Sequence, residues 1–365
     1  MLSFKRALIF AAFLLTAFFL LRRSHGTTAS DDSIPDLPKN RPADAEKGAS
    51  HTKGGSVAAG AAPPQEKHVP AQKPIIDTSK MTLYDKLAYQ YPYDVETKFP
   101  AYIWQTWRYT PADEEFAFRE QEASWTEQHP GFVHEVITDQ VAIHLLRVLY
   151  AAVPEVLEAY HALPQPVLKA DFFRYLILLA RGGIYSDIDT FALKSALQWI
   201  PDHVPKESIG LVVGIEADPD RADWKEWYSR RIQFCQWTIQ AKSGHPVLRD
   251  IVTRITEETL RRARAGGPFI TKDQSVVEFT GPAIWTDTVF DYLNNPRYFD
   301  MSASKGNITY LNFTGIESPK KVGIFSPGVQ QMGAKEPDDP MAFVKHDFEG
   351  TWKPESERHI GEQMS

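Results

Sequence analysis

Lys169-Ala170-Asp171-Phe172-Phe173-Arg174-Tyr175, followed by Arg181-Gly182-Gly183-Ile184-Tyr185-Ser186-Asp187-Ile188-Asp189, is the stretch that decides the reading of this chain. The apolar-rich run 167–181 predicts a helix, and Gly182-Gly183 is a stop signal for it. Ile184-Tyr185-Ser186 then predicts a short strand that delivers Asp187 and Asp189 at its carboxyl end. Ligands of open α/β sheets bind at such ends. Carboxylates two residues apart project to the same side of extended backbone. Hard oxygen ligands of this kind suit Mn²⁺ or Mg²⁺ carrying a diphosphate. Asp171 and Arg174, three apart on the preceding helix, share a face. On so apolar a helix, leading directly into the acidic turn, substrate binding outweighs a surface ion pair. The arginine would contact phosphate or hydroxyl oxygens, and the aspartate would accept from sugar hydroxyls. A second Asp-x-Asp, Asp218-Pro219-Asp220, sits in the charge-crowded stretch 216–231, which reads as a solvated loop.

Outward from this centre, 102–107 and 132–137 predict strands, 140–148 a helix and 210–215 a buried strand. Residues 244–263 predict a helix with Pro246 in its first turn, ending before Gly266-Gly267. Alternating strands and helices imply a mostly parallel sheet with both faces covered. The expected fold class is α/β, with residues 83–353 as one catalytic domain followed by a polar tail, 354–365.

The composition fits a globular body: 43% hydrophobic, 12% aromatic and 24% charged, which excludes a wholly disordered or fibrous chain. With 40 basic and 47 acidic side chains the net charge is −7, which argues against nucleic acid as a partner. A lone cysteine, Cys235, excludes an intrachain disulfide and reads as core.

The first residues read differently. Lys5-Arg6 precede an apolar run, 7–21, broken only by Thr16, and Arg22-Arg23 follow. The run is short for a span of about 20 residues. No small-residue cleavage pattern follows, so 1–23 is expected to be an uncleaved signal anchor rather than a signal peptide. Residues 24–82, mostly rich in Ala, Pro, Gly, Ser, Asp and Lys, read as a flexible stem. Positive charge on both flanks does not orient the anchor. Two sequons, Asn307-Ile308-Thr309 and Asn312-Phe313-Thr314, place the body in a lumen if they are glycosylated. The expectation is a single-pass type II membrane protein. Asp287, downstream of Thr280-Gly281-Pro282, either touches an acceptor or caps a helix.

These motifs together resemble the sugar-nucleotide signature of glycosyltransferase family 32. Four further stretches agree: Ile103-Trp104-Gln105-Thr106-Trp107; Gln236-Trp237 with Gly244-His245-Pro246; Glu278 to Asp287; and Lys345-His346-Asp347-Phe348-Glu349-Gly350-Thr351-Trp352-Lys353. Trp104 stands where the wider family often has His, as suits its mannosyltransferase branch, and Thr351 where Ser is usual. The resemblance implies a GT-A fold, a GDP-mannose donor, Mn²⁺ as cofactor, and retention of configuration. It further implies an α-1,6 bond to a high-mannose N-glycan core, made at the Golgi membrane. By the same resemblance Asp189 and His346 hold the metal, and Asp187 reaches it through water or binds the ribose. Asp171 and Arg174 grip the mannose, with Trp104 and Trp352 also at the donor. His346 otherwise reads as a structural histidine, and Trp352 as a cap on the core. A mannosyltransferase of inositol phosphorylceramide is disfavoured by the short polar sequence after Lys353, and a non-catalytic subunit by the intact acidic residues.

Overall fold

The computed structural model describes residues 77–217, 223–226, 228–266, 269–270, 275–300, 302, 306–309 and 342–350, and the backbone alone at 323–325. All lie in Lys73–Ser365, the second of two units into which the chain divides. The expected anchor (1–23), the tail (354–365) and nearly all of the stem (24–82) lie outside the described residues, as do Asp218, Asp220, Asn312, Thr351 and Trp352. A 3-10 turn, Thr78–Lys80, falls inside the stretch read as stem.

The order of elements is α1 (Leu83–Gln90), β1 (Tyr102–Thr106), α2 (Arg119–Gln128), β2 (Val133–Ile137), α3 (Asp139–Leu149), α4 (Pro154–Ala162), α5 (Pro166–Arg181), β3 (Gly183–Ser186) and β4 (Thr190–Ala192). There follow β5 (Ile209–Ala217), β6 (Gln233–Ala241), α6 (Pro246–Ala265), α7 (Val276–Phe279), α8 (Pro282–Leu293), β7 (Gly323–Phe325) and β8 (Val344–His346).

Six strands form one sheet in the order β2-β1-β3-β6-β5-β7. β1 pairs parallel with β2 and β3, and β5 with β7, whereas β6 runs antiparallel to both neighbours. The sheet is thus mixed, with parallel pairs in the majority. The inner strands β1 and β3 bury apolar residues on both faces, as a doubly covered sheet requires. Ile103 and Ile184 face the cluster around Trp125, Trp199 and Val344, while Trp104 and Tyr185 face the larger cluster built on α5, α6 and α8.

Local chemistry explains the strand ends nearest the site. α5 terminates because Gly182 and Gly183 take φ of 66° and 98°. A Cβ on Gly183 would lie 2.7 Å from the Tyr102 carbonyl oxygen, so only glycine permits this approach of β3 to β1. α6 begins with His245 as cap, its Nδ1 accepting from the Val247 N–H at 3.3 Å, and with Pro246 in the first turn. The strand β6 has no counterpart among the expectations. Its apolar residues are interrupted by Gln233, Gln236 and Gln240, which hides the pattern. Cys235 is fully buried in it, as expected.

Candidate functional site

The turn after β3 is held from three sides. The Asp187 N–H donates to the Trp237 carbonyl at 2.8 Å, while the Asp187 carbonyl accepts from Thr190 Oγ1 at 2.7 Å and Gln105 Nε2 at 3.1 Å. The chain then enters β4, which pairs antiparallel with β8, and this register sets His346 opposite Thr190. Residues 157 positions apart therefore meet: His346 Nε2 lies 3.2 Å from Asp189 Oδ1. Asp189 Oδ2 accepts from the Glu349 N–H at 3.2 Å. Trp237 stacks on one face of His346 at 4.8 Å and 10°, and Phe348 meets the ring edge-on at 4.0 Å. Phe348 sits at φ 53°, a left-handed conformation rare for an aromatic residue, and its strained turn places the ring there.

Asp187, Asp189 and His346 each offer one ligand atom, all within 4.8 Å of one another. Two carboxylates and an imidazole fit a divalent cation that prefers oxygen and accepts nitrogen. The electrostatics agree. Burial pushes the Asp187 carboxyl up, against the pull of Arg174, and the neighbouring Asp189 adds to the rise. Burial also opposes the Asp189 charge, but the hydrogen bond and charge of His346, with backbone N–H donors such as Glu349, together outweigh it and hold the carboxyl below its usual range. His346 is correspondingly raised despite its burial. Such crowded carboxylates gain from a bound cation.

Behind this cluster stands α5. Arg174 Nη2 lies 3.1 Å from Asp171 Oδ1 and 3.0 Å from Asp187 Oδ1. Asp171 and Arg174 are 4% and 3% exposed, so the pair is a buried bridge into the acidic turn and not a surface ion pair. Asp171 also accepts from Thr280 Oγ1 at 2.7 Å and Gln236 Nε2 at 3.3 Å, and the Tyr175 hydroxyl orients Gln236 through a 2.7 Å bond to Oε1. The Arg174 guanidinium lies over the Tyr185 ring at 5.0 Å. Its Nε and Nη1 are buried with no hydrogen-bond partner among the described residues. Spare buried donors of an arginine are expensive, and a polar ligand would offset that cost.

The fold gives three more residues of the sequence reading a definite place. Trp104 is 7% exposed in the core, and its Nε1 donates to the Gly182 carbonyl at 2.9 Å, at the start of β3. Asp287 caps no helix. It lies inside α8, and Arg230 binds it through Nε at 2.7 Å. Glu216 is not in a solvated loop but closes β5, where burial pushes its carboxyl up. Asn307 is exposed, next to Ile308, whose N–H donates to Asn294 Oδ1 at 2.6 Å. In the sequence Gln236 and Thr280 stand only as parts of motifs; the fold shows that both hold Asp171.

A family model described as a glycosyltransferase sugar-binding region containing a DXD motif matches residues 116–205. That span includes Asp171, Arg174, Asp187 and Asp189. An initiation-specific alpha-1,6-mannosyltransferase of Candida albicans is 46% identical over 295 residues, covering 74% of this chain and 77% of the relative. The protein of the same name from Schizosaccharomyces pombe is 45% identical over 279 residues, covering 74% and 67%. HOC1 of Saccharomyces cerevisiae, whose name goes no further than glycosyltransferase, is 40% identical over 283 residues, covering 74% and 70%. Among solved structures, the PaToxG glycosyltransferase superposes with TM-score 0.37 and 15% identity over 58% of this chain and 74% of that one, a likeness too loose to add to the assignment.

Proposed function

Because the chain belongs to the DXD-motif glycosyltransferase family of the initiation-specific alpha-1,6-mannosyltransferases, we propose that it transfers mannose from GDP-mannose to a high-mannose N-glycan core, forming an α-1,6 bond with retention. The observation that carries this reading is the convergence of Asp187, Asp189 and His346 at a strand end, with the Asp171–Arg174 bridge directly behind it. We assign the fold to the GT-A class on the same arrangement.

Asp189 and His346 would hold Mn²⁺, with Asp187 beside them contacting it through water or binding the ribose. When bound, the cation would neutralise charge on the departing diphosphate. The protein's own groups do the rest. Arg174 donates from its spare nitrogens to donor oxygens. Asp171 keeps that guanidinium in place, and Thr280 and Gln236 keep Asp171 in place. Trp237 and Phe348 wall the His346 ring, so its orientation does not depend on the ligand.

Residues 1–23 would anchor the chain in the Golgi membrane with the body lumenal. Among the described residues no helix is long and apolar enough to cross a membrane. Asn307 is exposed, so its sequon would be accessible to glycosylation in a lumenal body. The purified full chain, given GDP-mannose, Mn²⁺ and a high-mannose glycan, should yield one added mannose in α-1,6 linkage. A product from another sugar nucleotide, or none with GDP-mannose, overturns the donor assignment.

A further inference from the structure

The acidic edge of the sheet holds a third carboxylate that the cation cluster does not use. β3 and β5 each pair antiparallel with β6, so they run in the same direction and their carboxyl ends share one edge. Asp187 and Asp189 follow β3 at that edge, and Glu216 lies at the end of β5. Gln233 Nε2 donates to Glu216 Oε2 at 3.0 Å, and Gln233 Oε1 accepts from Ser229 Oγ at 2.6 Å. That pair of bonds orients the amide so that it presents a donor to Glu216, which favours the ionised carboxylate.

Its surroundings lead back to the proposed donor site. The Trp237 indole lies beside Glu216 and eases its charge, and the same ring stacks on His346 at 4.8 Å. The indole N–H is buried and makes no hydrogen bond among the described residues. His346 and Arg174 are the two cationic groups that act on Glu216, and both also act on Asp187. Yet among the described residues no arginine or lysine pairs with Glu216. Burial pushes the Glu216 carboxyl up, so its charge is costly with no countercharge of its own among the described residues. Positive charge arriving with the reaction would offset that cost.

We propose that Glu216 is a catalytic residue whose carboxylate faces the donor sugar and stabilises the positive charge that develops on the mannosyl ring as the diphosphate departs. This rests on the donor reading given above. The bond from C1 to the diphosphate oxygen breaks, and its electron pair leaves with that oxygen. The acceptor hydroxyl oxygen bonds to C1 on the same face, and its proton passes to the departing diphosphate. Glu216 makes no covalent bond and stays ionised.

Glu216→Gln keeps the shape and the Gln233 contact and removes only the charge. The expected result is a fall in kcat of about 10²–10³-fold. The affinity for GDP-mannose with Mn²⁺ should stay within about threefold, and the melting temperature should not change. Activity within about threefold of wild type overturns the proposal, as does a loss confined to KM. If Glu216→Gln melts early, Glu216→Asp asks the same question: it should lose about tenfold in kcat as the charge withdraws by one methylene, and an unchanged kcat overturns the proposal. Glu216→Ala supplied with azide should give no mannosyl azide; its appearance overturns the non-covalent role. A wild-type protein inactive with GDP-mannose overturns the donor reading itself, whereas an active wild type with undiminished Glu216→Gln overturns only the role of Glu216.

Discussion

Two arginines in this molecule each sit between two carboxylates, and they are used in opposite ways. Arg230 meets Asp287 through Nε at 2.7 Å and Nη2 at 2.5 Å, and Glu278 through Nη1 at 3.0 Å and Nη2 at 3.1 Å. Both carboxylates are gripped by the planar fork, and both remain about a third exposed. Arg174 meets Asp171 and Asp187 through Nη2 alone, while Nε and Nη1 stay buried and unbonded. The first arrangement ties the segment before β6 to α7 and α8. The second is half-finished inside the protein, and its unused donors stand beside the cation cluster. A hydrogen-bonding set completed within the chain marks a structural clamp; one left incomplete in the interior marks a ligand site.

The comparison can be broken or sharpened by experiment. The largest effect is expected from Asp189→Ala, which removes a cation ligand that Arg174 cannot replace. Turnover should fall by about 10³-fold or more, since the cation's charge stabilisation is worth several kcal/mol. The melting curve should hold; full activity with a normal melt would remove the metal assignment.

Arg174→Lys comes next. A lysine keeps the charge but cannot serve Asp171, Asp187 and a ligand at once. Turnover should drop by about 10²–10³-fold and should not recover with added Mn²⁺. Activity within a few-fold of wild type would make Arg174 another clamp and erase the contrast with Arg230.

Arg230→Met should behave in the converse manner. Unfolding in urea should show a loss of about 2–3 kcal/mol, because bonds to charged groups are lost while the freed carboxylates regain water. Activity per folded molecule should stay within about threefold. A larger loss of turnover than of stability would mean that the clamp also serves the chemistry.

The smallest effect concerns two histidines with the same division of labour. His346 is raised by Asp189, so the stability it contributes is present below pH 6.5 and is lost as pH rises through its folded value. His245 is fully buried, with Arg249 and Lys242 nearby, and burial first and these charges second push it down to about 3. A depressed histidine works in the opposite sense: the unfolded chain takes up the proton below pH 6.5 and the folded one does not. Folding should therefore weaken by about 2 kcal/mol between pH 7 and pH 5 on account of His245. His245→Asn, which retains a capping oxygen for α6, should flatten that part of the urea-melt pH profile. An unchanged profile would show that His245 takes up its proton while folded.

The helix ending at Gly182-Gly183 and the strand leading into Asp187-Ile188-Asp189 were legible because each depends on neighbours a few residues away. The same held for α3 and α6, and for strands β1, β2 and β5. β6 escaped because Gln233, Gln236 and Gln240 interrupt its apolar pattern. Two of these glutamines are explained only by what the sheet sets beside them: Glu216 for Gln233 and Asp171 for Gln236.

Sequence alone determined where the acidic turn lies, that it follows a strand, and that a buried-looking helix delivers the chain to it. Those properties follow from backbone periodicity, glycine's access to positive φ and the alternation of side chains, all of them short-range. Tertiary structure alone decided that His346 closes on Asp189 from 157 residues away, that Arg174 reaches Asp187 with two nitrogens to spare, and that Glu216 faces the same edge. Those facts depend on strand order and register. They are set by burying both faces of one sheet, a condition on the whole chain that no local stretch encodes.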